Sequence, residues 1–315
     1  MNRIGTVSTR AGAGVLTGAI IGAVAGTILG TFGGDARAAA AAAKPLGVAD
    51  VIAASRPADW RPLDEQRTLY LDFESGRVII ELTPDFAPHH VANILALVRE
   101  HYFDGLAFMR AQDNYVVQWG DADGKRAIHS AKRTLQAEFV RPAKGLAFTR
   151  LPDADTFAPQ VGLSNGFAVA RDPASDTAWL THCYGAVGAG RDNGADSGGG
   201  TELYVVIGHS PRHLDRNVTL VGRVVKGMEL LSTMRRGSGA MGFYEKPEDR
   251  VPIRSIRILA DVPQADRTPL EVMRTDTATF TALVEARRNR SEDWFVYKAG
   301  HIDVCNVPLL ARTPP

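Results

Sequence analysis

The amino-acid sequence predicts a mainly β fold, a closed barrel or a sandwich, set between an amino-terminal export or anchor segment and a carboxy-terminal extension. Three observations carry that prediction. About eight short runs of β-branched and aromatic residues recur through the middle of the chain, with turn residues between them. Only two segments in that stretch show the 3.6-residue periodicity of a helix. The 315 residues are 45% hydrophobic and 23% charged, which excludes a disordered, collagenous or wholly membrane-embedded chain. Closure would remove exposed strand edges, but pattern alone does not choose barrel over sandwich.

Taken in order, the chain opens on Arg3 and Arg10, followed by 24 uncharged residues from Ala11 to Gly34. Ala36-Arg37-Ala38 then offers a small-x-small cleavage site, so residues 1–38 read as a secretory signal. The competing reading is a retained span through residues 11–34. Gly14, Gly18, Gly22, Gly26 and Gly30 would line one helical face of such a span and permit close packing in lipid. Either reading exports the remainder, to the periplasm or medium, or anchored in the inner membrane and facing the periplasm. Residues 39–63, with Pro45, Pro57 and Pro62, read as a linker.

The main domain is expected over 64–262. Thr68–Phe73 and Arg77–Leu82 form a hairpin around Glu74-Ser-Gly76. Pro88 opens a helix with Val91, Ile94, Leu95 and Val98 on one face. Further strands are expected at 107–110, 115–118, 167–170, 203–207, 220–225 and 253–259, with a short helix at 228–234. Residues 151–200 read as loop-like, and 171–200 as an insert whose glycine-rich tail is a surface segment, lacking a P-loop lysine. Residues 263–315 read as an extension packed on the domain. It holds a helix around Phe280, Leu283 and Val284, and a hairpin of Trp294–Tyr297 with Ile302–Val304.

Most chemistry is excluded. With 36 basic and 35 acidic residues, no global field recruits nucleic acid. Cys183 and Cys305 lack metal-ligand spacing and read as two buried free thiols, pairing being open to them only in an oxidising compartment. His89-His90 point in different directions on a helix and read as solvated first-turn residues. Asp121-Ala-Asp123-Gly124 lacks the downstream Glu of a calcium loop and reads as a turn. No nucleophile elbow is present, and no metal or cofactor is expected.

One segment stands apart. Tyr102-Phe103-Asp-Gly-Leu-Ala-Phe108-Met109-Arg110, running without a gap to Tyr115-Val116-Val117-Gln118-Trp119-Gly120-Asp121, resembles the central motif of the cyclophilin family of peptidyl-prolyl cis–trans isomerases. A second block follows in family order: Gly200-Thr-Glu-Leu-Tyr-Val-Val-Ile207, Leu214-Asp215 and Val218 to Met228. The helix bearing Ala87-Pro88 and Asn93 matches as well, so the resemblance runs from about Thr68 to Ala260. It implies a closed eight-stranded antiparallel β-barrel capped by two helices, acting as a monomeric catalytic domain on proline-containing polypeptides.

The resemblance also implies roles. Arg110 would stabilise the twisted amide and Gln118 would position it or the peptide. Phe108, Tyr115, Val116, Ala170, Arg171, Glu202, Leu203, Tyr204, His213, Leu214 and Val218 would bind the substrate. Several positions depart from the family pattern. Met109 replaces a His, Glu202 a Gln, and Leu203 and Tyr204 a pair of Phe. His213 stands where many members have Trp, which argues against tight cyclosporin binding. Val218 replaces an aromatic or His, and Arg171 an Asn. A catalytically weak proline-peptide binding module or chaperone is the alternative function.

Overall fold

The computed structural model describes residues 46–290 and 292–315. The signal or anchor readings of 1–38 and 11–34 lie outside the described residues. Among those described, no helix is long and apolar enough to cross a membrane.

The chain enters through helix α1 (Val48–Ala53) and strand β1 (Trp60–Pro62). It continues through β2 (Thr68–Phe73), β3 (Gly76–Leu82), α2 (Pro88–Arg99), β4 (Ala107–Ala111) and β5 (Val116–Gly120). A second group follows: β6 (Arg141–Pro142), β7 (Thr149–Arg150), β8 (Gln160–Ser164), β9 (Phe167–Asp172) and β10 (Thr177–Leu180). Then come β11 (Ala186–Ala189), β12 (Glu202–Val206), β13 (Leu220–Lys226), α3 (Met228–Ser232) and β14 (Val251–Ile258). The chain ends with β15 (Glu271–Met273), α4 (Ala278–Arg288) and β16 (Ala311–Arg312).

Eight strands close an antiparallel barrel in the order β11-β12-β5-β4-β14-β2-β3-β13, with β13 returning to β11. The β2–β3 hairpin turns at Gly76, whose φ of 140° suits a residue without a Cβ. The barrel interior holds Leu71, Val78, Ile80, Phe108, Val117, Trp119, Val205 and Val221. Val91, Ile94, Leu97 and Val98 of α2 and Leu231 of α3 join that core as the two caps. The Glu138 carboxylate accepts the backbone N–H groups of His89 and His90 at 3.0 and 2.9 Å, which satisfies orphan donors at the start of α2. His90 is therefore not the solvated residue expected: it is buried, with Nδ1 2.7 Å from Glu138. Among the described residues no group of ligating side chains could hold a metal ion, and residues 121–124 form the expected turn, closed by the Gly124 N–H on the Asp121 carbonyl.

The region read as loop is the largest correction. Strands β6 to β10 form a five-stranded second sheet in the order β6-β10-β9-β8-β7. Phe167, Val169, Ala178 and Leu180 pack against Val116, Tyr204, Val206 and Leu220 of the barrel. The alternate residues Ala168, Ala170 and Trp179 face a further core with α1, α4 and the carboxy-terminal segment. Both faces are buried, so the strands carry no polar alternation to mark them. The strand at 167–170 thus belongs to the second sheet, and the eighth barrel strand is β11, inside the stretch read as an insert.

The ends of the described chain form a third layer. Residues 48–62, read as linker, fold into α1 and β1, and β1 pairs with β15 and β15 with β16. Phe280, Leu283 and Val284 of α4 are buried as the periodicity predicted. The hairpin expected at 294–304 does not form: Trp294 and Tyr297 are exposed, while Ile302 and Val304 are core residues. Nor are the cysteines free. Cys183, just after β10, is bonded to Cys305 across 122 positions, because the second sheet carries it to the carboxy-terminal turn.

A buried ion cluster lies where β1 meets the barrel. Glu81 on β3, fully buried, meets Arg61 of β1 at 2.7 Å and Arg223 of β13 at 3.0 Å.

Candidate active site

A single extra residue aims the central arginine. In the β4–β5 ladder Phe108 opposes Trp119 and Arg110 opposes Gln118, so Met109 is a bulge. Without it, Phe108 and Arg110 would share a face of the strand. With it, Phe108 points into the barrel, its ring edge-on to Trp119 at 5.6 Å, while Arg110 turns outward beside Gln118.

Outside the barrel wall these residues border a groove of ≈ 690 Å³. The Arg110 guanidinium is anchored at all three nitrogens. Nε donates to the Met241 carbonyl at 2.7 Å, Nη1 to Gln118 Oε1 at 3.2 Å, and Nη2 to Gln112 Oε1. Tyr115 and Phe243 flank it with ring centroids 5.5 and 5.3 Å away. Five N–H donors against three such bonds leave two unspent. Burial lowers the Arg110 pKa from its ordinary value, but a guanidinium stays charged at any physiological pH.

Glu202 explains the orientation of Gln118. The Gln118 Nε2 group donates to Glu202 Oε2 at 2.7 Å. An ionised carboxylate only accepts, so it selects the amide nitrogen and leaves Oε1 facing Arg110. The glutamine that the family pattern carries there would accept either orientation. Burial raises the Glu202 pKa, the Gln118 bond opposes that, and the neighbouring Asp192 and Asp121 carboxylates add to the rise.

The other end of the groove is apolar, lined by Tyr115, Val116, Tyr204, Leu214 and Val218. The hydroxyl end of the Tyr204 ring lies against Gly188 of β11. A Cβ at Gly188 would come within 2.3 Å of the ring, so only glycine admits it.

The structure therefore brings together Arg110, Gln118, Tyr115, Val116, Glu202, Tyr204, Leu214 and Val218. Five expected contacts are not in the lining. Phe108 and Leu203 are inward-facing barrel core, Phe108 turned from the groove by the Met109 bulge and Leu203 by strand alternation. Ala170 faces the far side of the second sheet. Arg171 stacks on Phe148 at 4.0 Å and donates to Gln160 at 2.7 Å, within that sheet. His213 is exposed on the turn Arg212–Leu214, next to Leu214. Conversely, Gly190 to Asn193, Met241 and Phe243 line the groove without having been singled out. Gly188-Ala-Gly190 ahead of the Gly200 block was the available signal for a strand beside the site. Nothing in the sequence marked Met241.

The family described as "Cyclophilin type peptidyl-prolyl cis-trans isomerase/CLD" matches residues 68–258. A probable peptidyl-prolyl cis-trans isomerase of Brucella suis biovar 1 is 28% identical over 188 residues, covering 60% of this chain and 81% of that protein. Its counterpart in Brucella abortus strain 2308 is 27% identical over the same length. Among solved structures, cyclophilin AquaCyp293 from Hirschia baltica aligns with a TM-score of 0.67 and 26% identity. That alignment covers 81% of this chain and 94% of that one.

Proposed function

The chain belongs to the cyclophilin-type peptidyl-prolyl cis–trans isomerase family and is an enzyme of that class, and we propose that it turns over X–Pro bonds of exported proteins with Arg110 as the catalytic residue. Rotation about an X–Pro bond crosses a barrier of about 18–20 kcal/mol because the amide loses its resonance midway. No bond is made or broken, so the reaction asks for no nucleophile. It asks for a grip on the ring and a donor for the twisted state.

The apolar end of the groove provides the grip. Tyr115, Val116, Tyr204, Leu214 and Val218 accept the pyrrolidine ring and exclude water beside it. In the twisted state the prolyl nitrogen regains its lone pair and becomes an acceptor. An unspent N–H group of Arg110 then donates to it more strongly than to the planar amide, which is differential stabilisation of the transition state. Gln118 and Glu202 hold the guanidinium in that attitude. The single observation that carries the reading is this fixed, partly unspent guanidinium beside an apolar recess.

The exported setting is supported by the Cys183–Cys305 bond, since disulfides persist in oxidising compartments. The basic, then uncharged amino terminus points the same way. Mass measurement of the mature amino terminus with cell fractionation tests it: a reduced, cytoplasmic, full-length chain overturns export.

One observation favours the weak binding module instead. Val218 lines the recess where the family pattern carries an aromatic or His, which leaves one wall of the ring site smaller and argues for a catalytically weak site. An NMR exchange assay on an Ala-Pro peptide separates the two. The isomerase reading expects catalysed exchange and a kcat/KM about 10²–10³-fold lower in Arg110→Ala, as for loss of a transition-state donor. Exchange at the uncatalysed rate, unchanged by that substitution, leaves only binding.

A further inference from the structure

The Tyr204 hydroxyl points away from the groove, into the second sheet. His182, which follows β10 and is fully buried, has Nε2 2.8 Å from that hydroxyl, with the two rings nearly parallel at 11°. On its other side Nδ1 and the backbone N–H of His182 both meet Asp215 Oδ1, at 3.0 and 2.9 Å. Asp215 Oδ2 accepts from Arg212 Nε at 2.6 Å. The outer nitrogens of Arg212 reach Asp155 at 2.9 and 3.1 Å. Asp215 is acceptor-only, so the ring proton of His182 sits on Nδ1 and Nε2 is left to accept from Tyr204. Burial raises the phenol pKa, which keeps Tyr204 a donor.

Packing alone does not account for this chain. An all-apolar wall would bury the same volume without desolvating two carboxylates and a guanidinium. What the chain does is join both sides of the recess. Tyr204 stands on β12, and Leu214 stands on the short turn that Arg212 and Asp215 bracket. His182 is the link between them, and it comes from the segment that leaves the second sheet after β10 rather than from the barrel.

We propose that His182 is a positioning residue for substrate binding. It acts through Tyr204 and through the Leu214 turn, so that the second sheet sets the width of the proline recess. The proposal rests on the groove being the isomerase site.

The test uses the full, oxidised chain and the Ala-Pro exchange assay, with thermal melting to verify folding. Tyr204→Phe keeps the ring and removes only the hydroxyl. It is expected to raise KM about tenfold, the worth of one buried hydrogen bond, with kcat held within about twofold. His182→Leu is expected to do the same, and His182→Gln, which can still donate to Asp215 and accept from Tyr204, to recover most of the loss. A merely structural role would lower the folded fraction instead, and so reduce apparent kcat at unchanged KM. That pattern, or an unchanged KM in Tyr204→Phe, overturns the proposal while an active, Arg110-dependent parent enzyme leaves the site reading standing. An inactive parent enzyme overturns both. Because Tyr204→Phe is a single-atom deletion, the test does not depend on His182→Leu folding.

Discussion

Breaking the Cys183–Cys305 bond gives a sharp measure of how the layers are held together. The bond closes a loop across 122 positions, joining the end of the second sheet to the carboxy-terminal turn. In the chain-entropy description a loop of that length restricts the unfolded ensemble by about 5 kcal/mol at 25 °C. The native side changes little, since Ile302, Val304 and Val307 remain packed in the core that α4 and the second sheet share. At about 2 °C per kcal/mol for a chain of this size, the double variant Cys183→Ser/Cys305→Ser should melt about 10 °C lower than the oxidised parent. The assay is far-UV circular dichroism of oxidised, reduced and double-variant protein. Alkylation without reductant should label neither cysteine. Melting points of the three samples within about 2 °C of one another would refute the reasoning, as would two alkylated thiols in the untreated protein.

Other outcomes follow from the site and its supports. Because Glu202 has a raised pKa, it takes up its proton at a pH above the ordinary 4.5, and the clamp on Gln118 is lost as pH falls through that raised value. The kcat/KM profile should therefore drop on the acid side above pH 4.5, and Glu202→Gln should flatten that limb; a limb unchanged in the variant argues against the clamp. Asp153 is held below its ordinary 3.8, chiefly by the Arg288 bond, against burial and with the Ile302 N–H helping. Its stabilising contribution is present above pH 3.8 and lost as pH falls through the depressed value. Thermal melts of parent and Asp153→Asn should thus differ at neutral pH and converge below that window. Glu81→Gln leaves Arg223 buried without its carboxylate and should cost about 3–5 kcal/mol in urea unfolding; a loss under 1 kcal/mol would place the cluster in solvent.

The barrel was legible because its strands have one wet or packed exterior face and one core face, and because Phe108 to Asp121 and Gly200 to Met228 carry family motifs. Arg110 and Gln118, which the fold places side by side, were singled out that way. The sequence did not reveal why they meet, since the Met109 bulge depends on register. Ala170 and Arg171 were misplaced because motif order was followed into a strand that leaves the barrel. His182 was not noticed at all: an isolated histidine among Trp179, Leu180 and Cys183 looks like any core residue until Tyr204 and Asp215 are brought beside it. The disulfide was hidden for the same reason, since sequence separation says nothing about two positions that meet only through a second layer.

The order in which the barrel strands leave the ribosome has its own consequence. The last of them, β14, pairs with the earliest, Ile258 opposite Leu69, and also borders the strand bearing Arg110, Val251 opposite Phe108. The whole second sheet is threaded between the fourth and fifth barrel strands to be made. A nascent chain therefore carries an open, incomplete wall until residue 258 has been synthesised and released. The wall that carries Arg110 is closed only after β14 has been made.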